Sequence, residues 1–267
     1  MRYFRQAVTG LGEWMNPWLI LAPLGMLVVG VASMVFWRRR SHAALRYFTL
    51  GGLVWGVSVA PKLLMDYTIT PSISSLLTSS LGLMGGLAAL GIYVGLRTGL
   101  FECGFTFLAV DKTGLKKASV DDATAFGVGF GAVEAILLAL PSLIQLAMFV
   151  TNPSMIDAVP PQFREALRAQ LSVPTSMVLA PILERMFTLF AHVFSALLVF
   201  AAVRRGRIRL LLYAFVYKGI LDAAAPYLQW VLASSSSASV VYLVELWVVL
   251  LGALGLLGSI RLRRRWN

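Results

Sequence analysis

The sequence is poor in charged residues and nearly devoid of cysteine and histidine. Only 13% of its 267 residues are charged and 58% are hydrophobic, whereas roughly a quarter of the residues of a soluble domain are charged. This composition excludes a soluble enzyme and a disordered protein. The one cysteine, Cys103, cannot form an internal disulfide or build a thiolate metal site alone, which excludes a secreted disulfide scaffold. The composition is that of an integral membrane protein.

Acidic residues are also scarce. The chain has 12 Asp and Glu against 23 Lys and Arg, a formal net charge of +11. In a soluble protein this balance would suggest nucleic acid as a partner. Here the cations fall between long apolar runs, where membrane topology explains them, and no nucleic-acid-binding motif accompanies them. We therefore expect the lipid bilayer, and no nucleic acid, as a partner.

Seven stretches are long enough to span a membrane, which takes about 20 mostly apolar residues. They cover residues 17–37, 45–65, 75–98, 123–150, 175–203, 210–230 and 240–260. The sequence thus predicts an all-α polytopic helix bundle of about seven spans, forming one integral membrane domain over residues 1–267.

The third stretch continues as apolar sequence from Leu76 to Val110. A straight helix of that length would measure about 50 Å, well beyond a hydrocarbon core of about 30 Å. We expect it to tilt, protrude or break, with Gly95 and Gly99 as break points. Whether residues 95–122 form a broken or a continuous helix is left open by the sequence.

The distribution of cations predicts the orientation. Fifteen lie in connections that follow odd-numbered spans: Arg38, Arg39, Arg40, Arg46, Lys112, Lys116, Lys117, Arg204, Arg205, Arg207, Arg209, Arg261, Arg263, Arg264 and Arg265. The opposite side has only Arg2, Arg5, Arg164 and Arg168. Short loops rich in Lys and Arg stay cytoplasmic. In a prokaryotic plasma membrane, the N-terminus is therefore predicted to lie on the outer side and the C-terminus on the cytoplasmic side. Residues 151–174 form the outer loop, in which Gln162–Leu171 is predicted to be an interfacial helix.

Five ionisable residues occupy the predicted spans at similar depth: Glu102, Glu134, His192, Lys218 and Asp222. At 1.5 Å per helical residue, each lies about 14–20 Å from the nearest cytoplasmic charge. Ionisable groups at membrane depth are costly, so they face the bundle interior, pair, and mark functional sites. We expect a polar cavity there.

A second set of charges lies nearer the outside. It consists of Lys62, Asp66, Glu184, Arg185 and Glu245. Lys62 and Asp66 are four residues apart on one helix, a spacing that predicts an ion pair within that helix.

Four segments resemble, in order, the YhfC family of intramembrane metalloproteases, relatives of the CAAX-processing/Abi membrane proteases. Residues 99–109 (GLFECGFTFLA) are similar to that family's Gly-x-Phe-Glu-Glu-x-x-Arg-Tyr segment, and residues 127–135 (GVGFGAVEA) to its Gly-x-Gly-His-Gly-Gly-x-Glu-Ala segment. The remaining matches are Glu184-Arg185 with His192 and Ser195, and Lys218 followed by Asp222. The resemblance extends over about residues 99–225.

The resemblance implies a membrane-embedded site of glutamate and histidine, at Glu102, Glu134, His192 and Asp222. A glutamate would activate water, alone or with a bound metal such as zinc held by His192, Glu134 and Glu102. An apolar pocket favours this chemistry, because it disfavours the charged carboxylate and makes it a base near neutral pH.

Four positions depart from the family pattern. Cys103 replaces the second Glu, Thr106 the Arg, Phe130 the first His and Lys218 the last His. A histidine-rich zinc site is therefore not expected, and zinc would be a cofactor only if the site were intact. Fixed cations, Lys218 and Arg185, are predicted to neutralise the buried acids in place of a metal.

Three functions are compatible with the sequence. The first is a degenerate protease-like protein that binds a membrane partner or substrate helix. The second is an active glutamate-type or metal-assisted peptidase with Glu102 or Glu134 as base and His192 as orienting or acid group. The third is a small proton-coupled transporter with Glu134, His192 and Asp222 as relay groups.

Overall fold

A computed structural model describes residues 15–235 and 237–266, and the secondary structure of these ranges is helical. The α-helices are α1 (Leu21–Ser41), α2 (Leu45–Thr68), α3 (Thr70–Thr98), α4 (Gly104–Lys112), α5 (Val120–Thr151), α6 (Pro161–Leu171), α7 (Leu179–Arg205), α8 (Ile208–Ala223), α9 (Ala225–Ser234) and α10 (Ala238–Arg264). A π-helical turn, Gly99–Cys103, joins α3 to α4. The predicted helix over 162–171 is present as α6. Arg2 and Arg5 lie outside the described residues.

Six helical segments in the described ranges are long and apolar enough to cross a membrane. They are Pro17–Ser41, Leu45–Thr68, Thr70–Lys112, Val120–Thr151, Thr175–Arg205 and Ala238–Arg264. The predicted all-α membrane bundle is thereby confirmed. The predicted span over 210–230 is instead divided between α8 and α9. Pro226 lacks the N–H that would continue the helical hydrogen bonds, so the helix breaks there. Seven crossings and the orientation of the termini stay predictions.

The long third stretch breaks at Gly82, not at Gly95. Gly82 has φ 69° and ψ 174°, a backbone conformation that residues other than glycine rarely adopt. The chain folds back there, so that a Cβ on Gly86 would lie 2.7 Å from the Cα of Thr78. Thr70 and Tyr93 meet through their hydroxyls at 3.2 Å. Residues 70–81 therefore lie along residues 83–98, and the excess length is taken up by this helical hairpin.

Gly95 is helical and lies at the close contact between α3 and α8. A Cβ on Gly95 would lie 2.4 Å from the carbonyl oxygen of Gly219, and one on Gly91 would lie 2.2 Å from that of Ala223. Small residues at these positions let α3 and α8 approach closely. The expected break at Gly99 is not formed either, because Gly99 has helical φ −55° and ψ −44° and the helix continues through the π turn that begins there.

Helix α7 and the first part of α5 form the centre of the bundle. The most apolar 18 residues of Thr175–Arg205 are 72% buried, compared with 11–28% in the other span candidates, and the buried residues of α5 are concentrated between Ala123 and Ala139. Helices α1 and α2 pack on α5, while α8 and α10 pack on α7. The residues that face both central helices therefore lie farthest from lipid.

Alternate glycines bring α5 close to two neighbours. A Cβ on Gly129 would lie 2.1 Å from the carbonyl oxygen of Phe48, and one on Gly51 2.0 Å from that of Phe126, so α2 and α5 touch backbone to backbone. On the other face, a Cβ on Gly127 would lie 2.7 Å from the Cα of Val193 in α7. The glycine-rich segment 127–131 thus allows α2 and α7 to pack closely on opposite faces of α5.

The α2–α5 contact predicts a position-specific effect of an added methyl group. In Gly51→Ala, the new Cβ would clash with the carbonyl of Phe126, and overpacking of this kind costs about 1–3 kcal/mol. We expect a lower melting temperature of the detergent-solubilised protein.

Gly56→Ala on the same helix is the control, because a Cβ there has no atom within 4 Å. It should melt at or above the wild-type temperature, since alanine favours helix. Equal melting temperatures of the two variants would contradict the packing described here.

Candidate functional site

Glu102 lies in the π-helical turn, where it is buried to 5% exposure. Its Oε1 is 2.5 Å from Nζ of Lys62 on α2, and its Oε2 is 2.8 Å from Nζ of Lys218 on α8. π turns within α-helices are frequent at functional sites. This turn places one carboxylate between two ammonium groups from different helices.

Glu134 lies on α5, one turn beyond Gly131, on the face that meets α7. Its carboxylate forms a short ion pair with Arg185 and accepts a hydrogen bond of 2.8 Å from Nε1 of Trp55. Arg185 is also paired with the neighbouring Glu184. The guanidinium is buried to 9% exposure, so it is a fixed counter-charge.

His192 joins the two carboxylates. Its Nε2 lies 2.8 Å from Oε2 of Glu134, and its Nδ1 lies 3.8 Å from Oε2 of Glu102 and 3.4 Å from Nζ of Lys218. The ring is 2% exposed and packs against the Phe130 ring, with 4.8 Å between centroids and 37° between planes. Nδ1 therefore faces the donor Nζ of Lys218, while Nε2 lies beside the Glu134 carboxylate without the geometry of a hydrogen bond.

Asp222 lies apart from the direct contacts of this network. Its Oδ2 accepts a hydrogen bond of 2.7 Å from the buried hydroxyl of Thr98. It lines the same cavity as Glu102 and Glu134. Of the four residues that the resemblance implies, the structure brings three into one network and leaves Asp222 on the wall.

The expected pair within α2 is not formed. Asp66 instead binds the buried Arg97 of α3 at 2.5 Å, while Lys62 turns to Glu102. The prediction of a Lys62–Asp66 pair is therefore wrong. A four-residue spacing allows such a pair, but buried partners on the neighbouring helix neutralise both charges more completely.

The network forms one side of a cavity of about 540 Å³. Six carboxylates and four cations line it: Asp66, Glu102, Glu134, Glu184, Asp222, Glu245, Lys62, Arg97, Arg185 and Lys218. The lining from α9 and α10 is largely apolar and includes Leu228, Leu232 and Val244. Residues from both predicted sets of charges, the set at similar depth and the set nearer the outside, thus line one cavity.

Sequence reasoning missed two residues of the network. Helical spacing pairs Lys62 with Asp66 instead, and a tryptophan in a span, such as Trp55, ordinarily packs against lipid or other helices. The only available signal for Lys62 was its place among the intramembrane charges. For Trp55 there was none, because its indole N–H reaches Glu134 only through the α2–α5 contact.

The comparisons with known proteins agree with this architecture. Residues 25–246 match the family model described as YhfC intramembrane metalloprotease. The match covers most of the chain, so the chain belongs to this family, and it is a multi-pass membrane protein. No curated protein and no solved structure matches it.

The residues present do not suit the metal that the family description implies. Among the described residues, no three His, Cys, Asp or Glu side chains are arranged to hold a metal ion. Lys62 and Lys218 bind the oxygens of Glu102, and Arg185 binds Glu134. Both nitrogens of His192 face other side chains, and Phe130, which packs against its ring, has no lone pair to donate.

The two ammonium groups on Glu102 should act cooperatively in stability. In Lys62→Met or Lys218→Met the remaining ammonium still neutralises the carboxylate. The double variant leaves a buried charge without a counter-ion, which is strongly destabilising. We expect its loss of unfolding free energy to exceed the sum of the single losses by about 1–2 kcal/mol.

The measurement is reversible unfolding in mixed micelles of the four proteins of this cycle. As a control, Lys112→Met combined with Lys218→Met should be additive, since Lys112 is 73% exposed and contacts only Asp111 among the ion pairs found. Additivity in the Lys62/Lys218 cycle as well would show that Glu102 does not depend on both cations.

Proposed function

We propose that this protein is a degenerate intramembrane protease-like protein of the cell membrane, a single domain that binds a membrane partner or substrate helix without hydrolysing it. The observation that carries the proposal is the neutralisation of both candidate catalytic glutamates by fixed cations. Lys62 and Lys218 bind Glu102, and Arg185 binds Glu134. A carboxylate held this way has its charge and its oxygens engaged by fixed partners rather than by a reacting water.

The chemistry of the site supports the loss of water activation. A general base needs hydrogen-bond access to the water it deprotonates. Glu134 accepts hydrogen bonds from Trp55 and Arg185 and lies beside His192, and Glu102 accepts one from Lys62 and is ion-paired with Lys218. Both carboxylates are thus already held by fixed donors and cations, which disfavours their use as a base for water.

The cavity supports a binding role. Most of its charged side chains come from other helices, whereas α9 and α10 contribute a lining that is apolar except for Gln229 and Glu245. A membrane-embedded segment with an apolar face and a polar group suits such a space, because its polar group would meet the carboxylates and cations while its apolar face meets Leu228 and Leu232. The break between α8 and α9 shapes this wall.

An active glutamate-type peptidase is the second candidate. The close pair of His192 and Glu134, 2.8 Å apart, favours it. An imidazole that orients and shares a proton with a carboxylate is the arrangement that general acid–base catalysis uses. The two candidates differ in hydrolysis and in dependence on Glu134.

Purified wild-type protein should contain no stoichiometric zinc, since cations already hold the candidate ligands. Chelator should leave its melting temperature unchanged, and reconstituted protein should leave transmembrane and prenylated peptides intact. The measurements are elemental analysis, thermal unfolding with and without chelator, and mass spectrometry of the peptides. Cleavage that Glu134→Gln or Glu102→Gln abolishes would establish the peptidase instead.

Restoring the family's histidines should create a zinc site. The ring of Phe130 and the ammonium of Lys218 both lie beside His192, at 4.8 Å and 3.4 Å. In Phe130→His/Lys218→His, three imidazoles would therefore adjoin two carboxylates, a donor set that zinc prefers. We expect about one zinc per chain in the double variant and less than a tenth in the wild type.

Phe130→His alone is the matched control, because it keeps the Lys218 ammonium that competes with the metal. It should not retain zinc through gel filtration. If the single variant retained as much zinc as the double variant, Lys218 would not be acting as the substitute for the metal.

A further inference from the structure

A second cavity lies on the far side of Trp55 from the polar network. It is a groove of about 840 Å³ between α1 and α2, with α5 as its floor. Its lining is apolar except for Thr49 and Arg38, which lies at one end. Trp55 lines both this groove and the polar cavity, so one indole ring separates them.

The groove exists because α1 and α2 both pack down on α5 rather than chiefly on each other. Gly30 lies against Ala132 and Ile136, and Gly52 lies against Val133, with a Cβ at Gly52 reaching within 2.4 Å of that side chain. Gly56, one turn farther along α2, has no atom within 4 Å of its Cβ position. The glycines thus hold the helices close to α5 and leave open space beside Gly56.

The length of the groove matches one leaflet of a bilayer. Along α2 it extends from Leu45 to Val57, which corresponds to about 18 Å of helix. The hydrocarbon core of a bilayer is about 30 Å thick, so the groove reaches from one surface to about its middle. A transmembrane helix would need a contact surface about twice as long.

One end of the groove is strongly basic. Arg38 lines it, and Arg39, Arg40 and Arg46 are exposed in the adjoining turn and helix ends. Arg38 donates from Nη1 to the carbonyl oxygen of His42 at 2.9 Å, which holds its guanidinium over the α1–α2 turn. Basic clusters beside a membrane-spanning helix attract anionic headgroups, with a gain of roughly fivefold in affinity per cation.

We propose that the groove binds one anionic phospholipid of the leaflet on the arginine-rich side. Its phosphate binds at Arg38, and an acyl chain runs along Gly52 and Gly56 over Val133 towards Trp55. The apolar lining, the one-leaflet length and the basic end together select a lipid over a protein helix. This assignment is independent of whether the polar cavity is catalytic.

The experiment is native mass spectrometry of delipidated protein titrated with dioleoyl phosphatidylglycerol or dioleoyl phosphatidylcholine. We expect one phosphatidylglycerol to bind wild-type protein about fivefold or more tightly than phosphatidylcholine. Equal affinities for the two lipids would overturn the proposal.

Two pairs of variants locate the site. Gly56→Leu fills the groove without a clash and should weaken phosphatidylglycerol binding about tenfold, because the leucine displaces about two buried methylene groups. Gly104→Leu is its control, since a Cβ there is equally unobstructed but lies outside the groove. Arg38→Gln should weaken binding about fivefold, and Arg39→Gln, the same charge change one residue away, should have a smaller effect.

Folding is checked by circular dichroism and melting temperature of each variant. If Arg38→Gln and Arg39→Gln lost phosphatidylglycerol affinity equally and Gly56→Leu lost none, the binding would be due to general surface charge. That result would overturn the proposed site. Dimers in the wild-type spectra that Gly56→Leu abolishes, with lipid binding unchanged, would assign the groove to a second copy of the chain.

Discussion

Burying a carboxylate among apolar helices is the constraint on which the rest of this structure depends. An uncompensated ion in a membrane interior is too costly to persist, so each buried acid must meet a counter-charge or a hydrogen-bond donor. Glu102 obtains two ammonium groups and Glu134 a guanidinium, an indole and an imidazole. These partners come from α2, α7 and α8. Five helical segments must therefore converge at one place.

Glycine provides the close approach that this convergence requires. Side chains such as Lys62 and Trp55 can reach the network only because α2 touches α5 backbone to backbone at Gly51 and Gly129. The same arrangement on α3 and α8, at Gly91 and Gly95, brings the π turn next to Lys218. Small residues are the usual means of tight helix packing in lipid, where no hydrophobic effect drives helices together.

The chain belongs to the YhfC intramembrane metalloprotease family, and the proposed function keeps that helical frame while changing the chemistry at its centre. In the proposed function, Lys218 occupies the position of a family histidine and supplies positive charge where a metal would. An ammonium neutralises carboxylates but cannot polarise a carbonyl or lower the pKa of bound water as a metal ion does. The substitution would therefore keep the packing of the site while removing its reactivity.

The sequence alone determined the class of the protein and the identity of its unusual charges. Long apolar runs require membrane helices, and the ionisable residues within them, Glu102, Glu134, His192 and Lys218, stand out against 58% hydrophobic composition. It did not determine which charges pair. The helical spacing favoured Lys62 with Asp66, and the length of the third stretch suggested a break at Gly95. Only the tertiary structure decided that Lys62 meets Glu102, that the chain reverses at Gly82, and that Trp55 donates to Glu134. Spacing along one helix shows which groups can meet within that helix. The free-energy cost of a buried charge is instead offset by whichever partner the packing of neighbouring helices brings within reach.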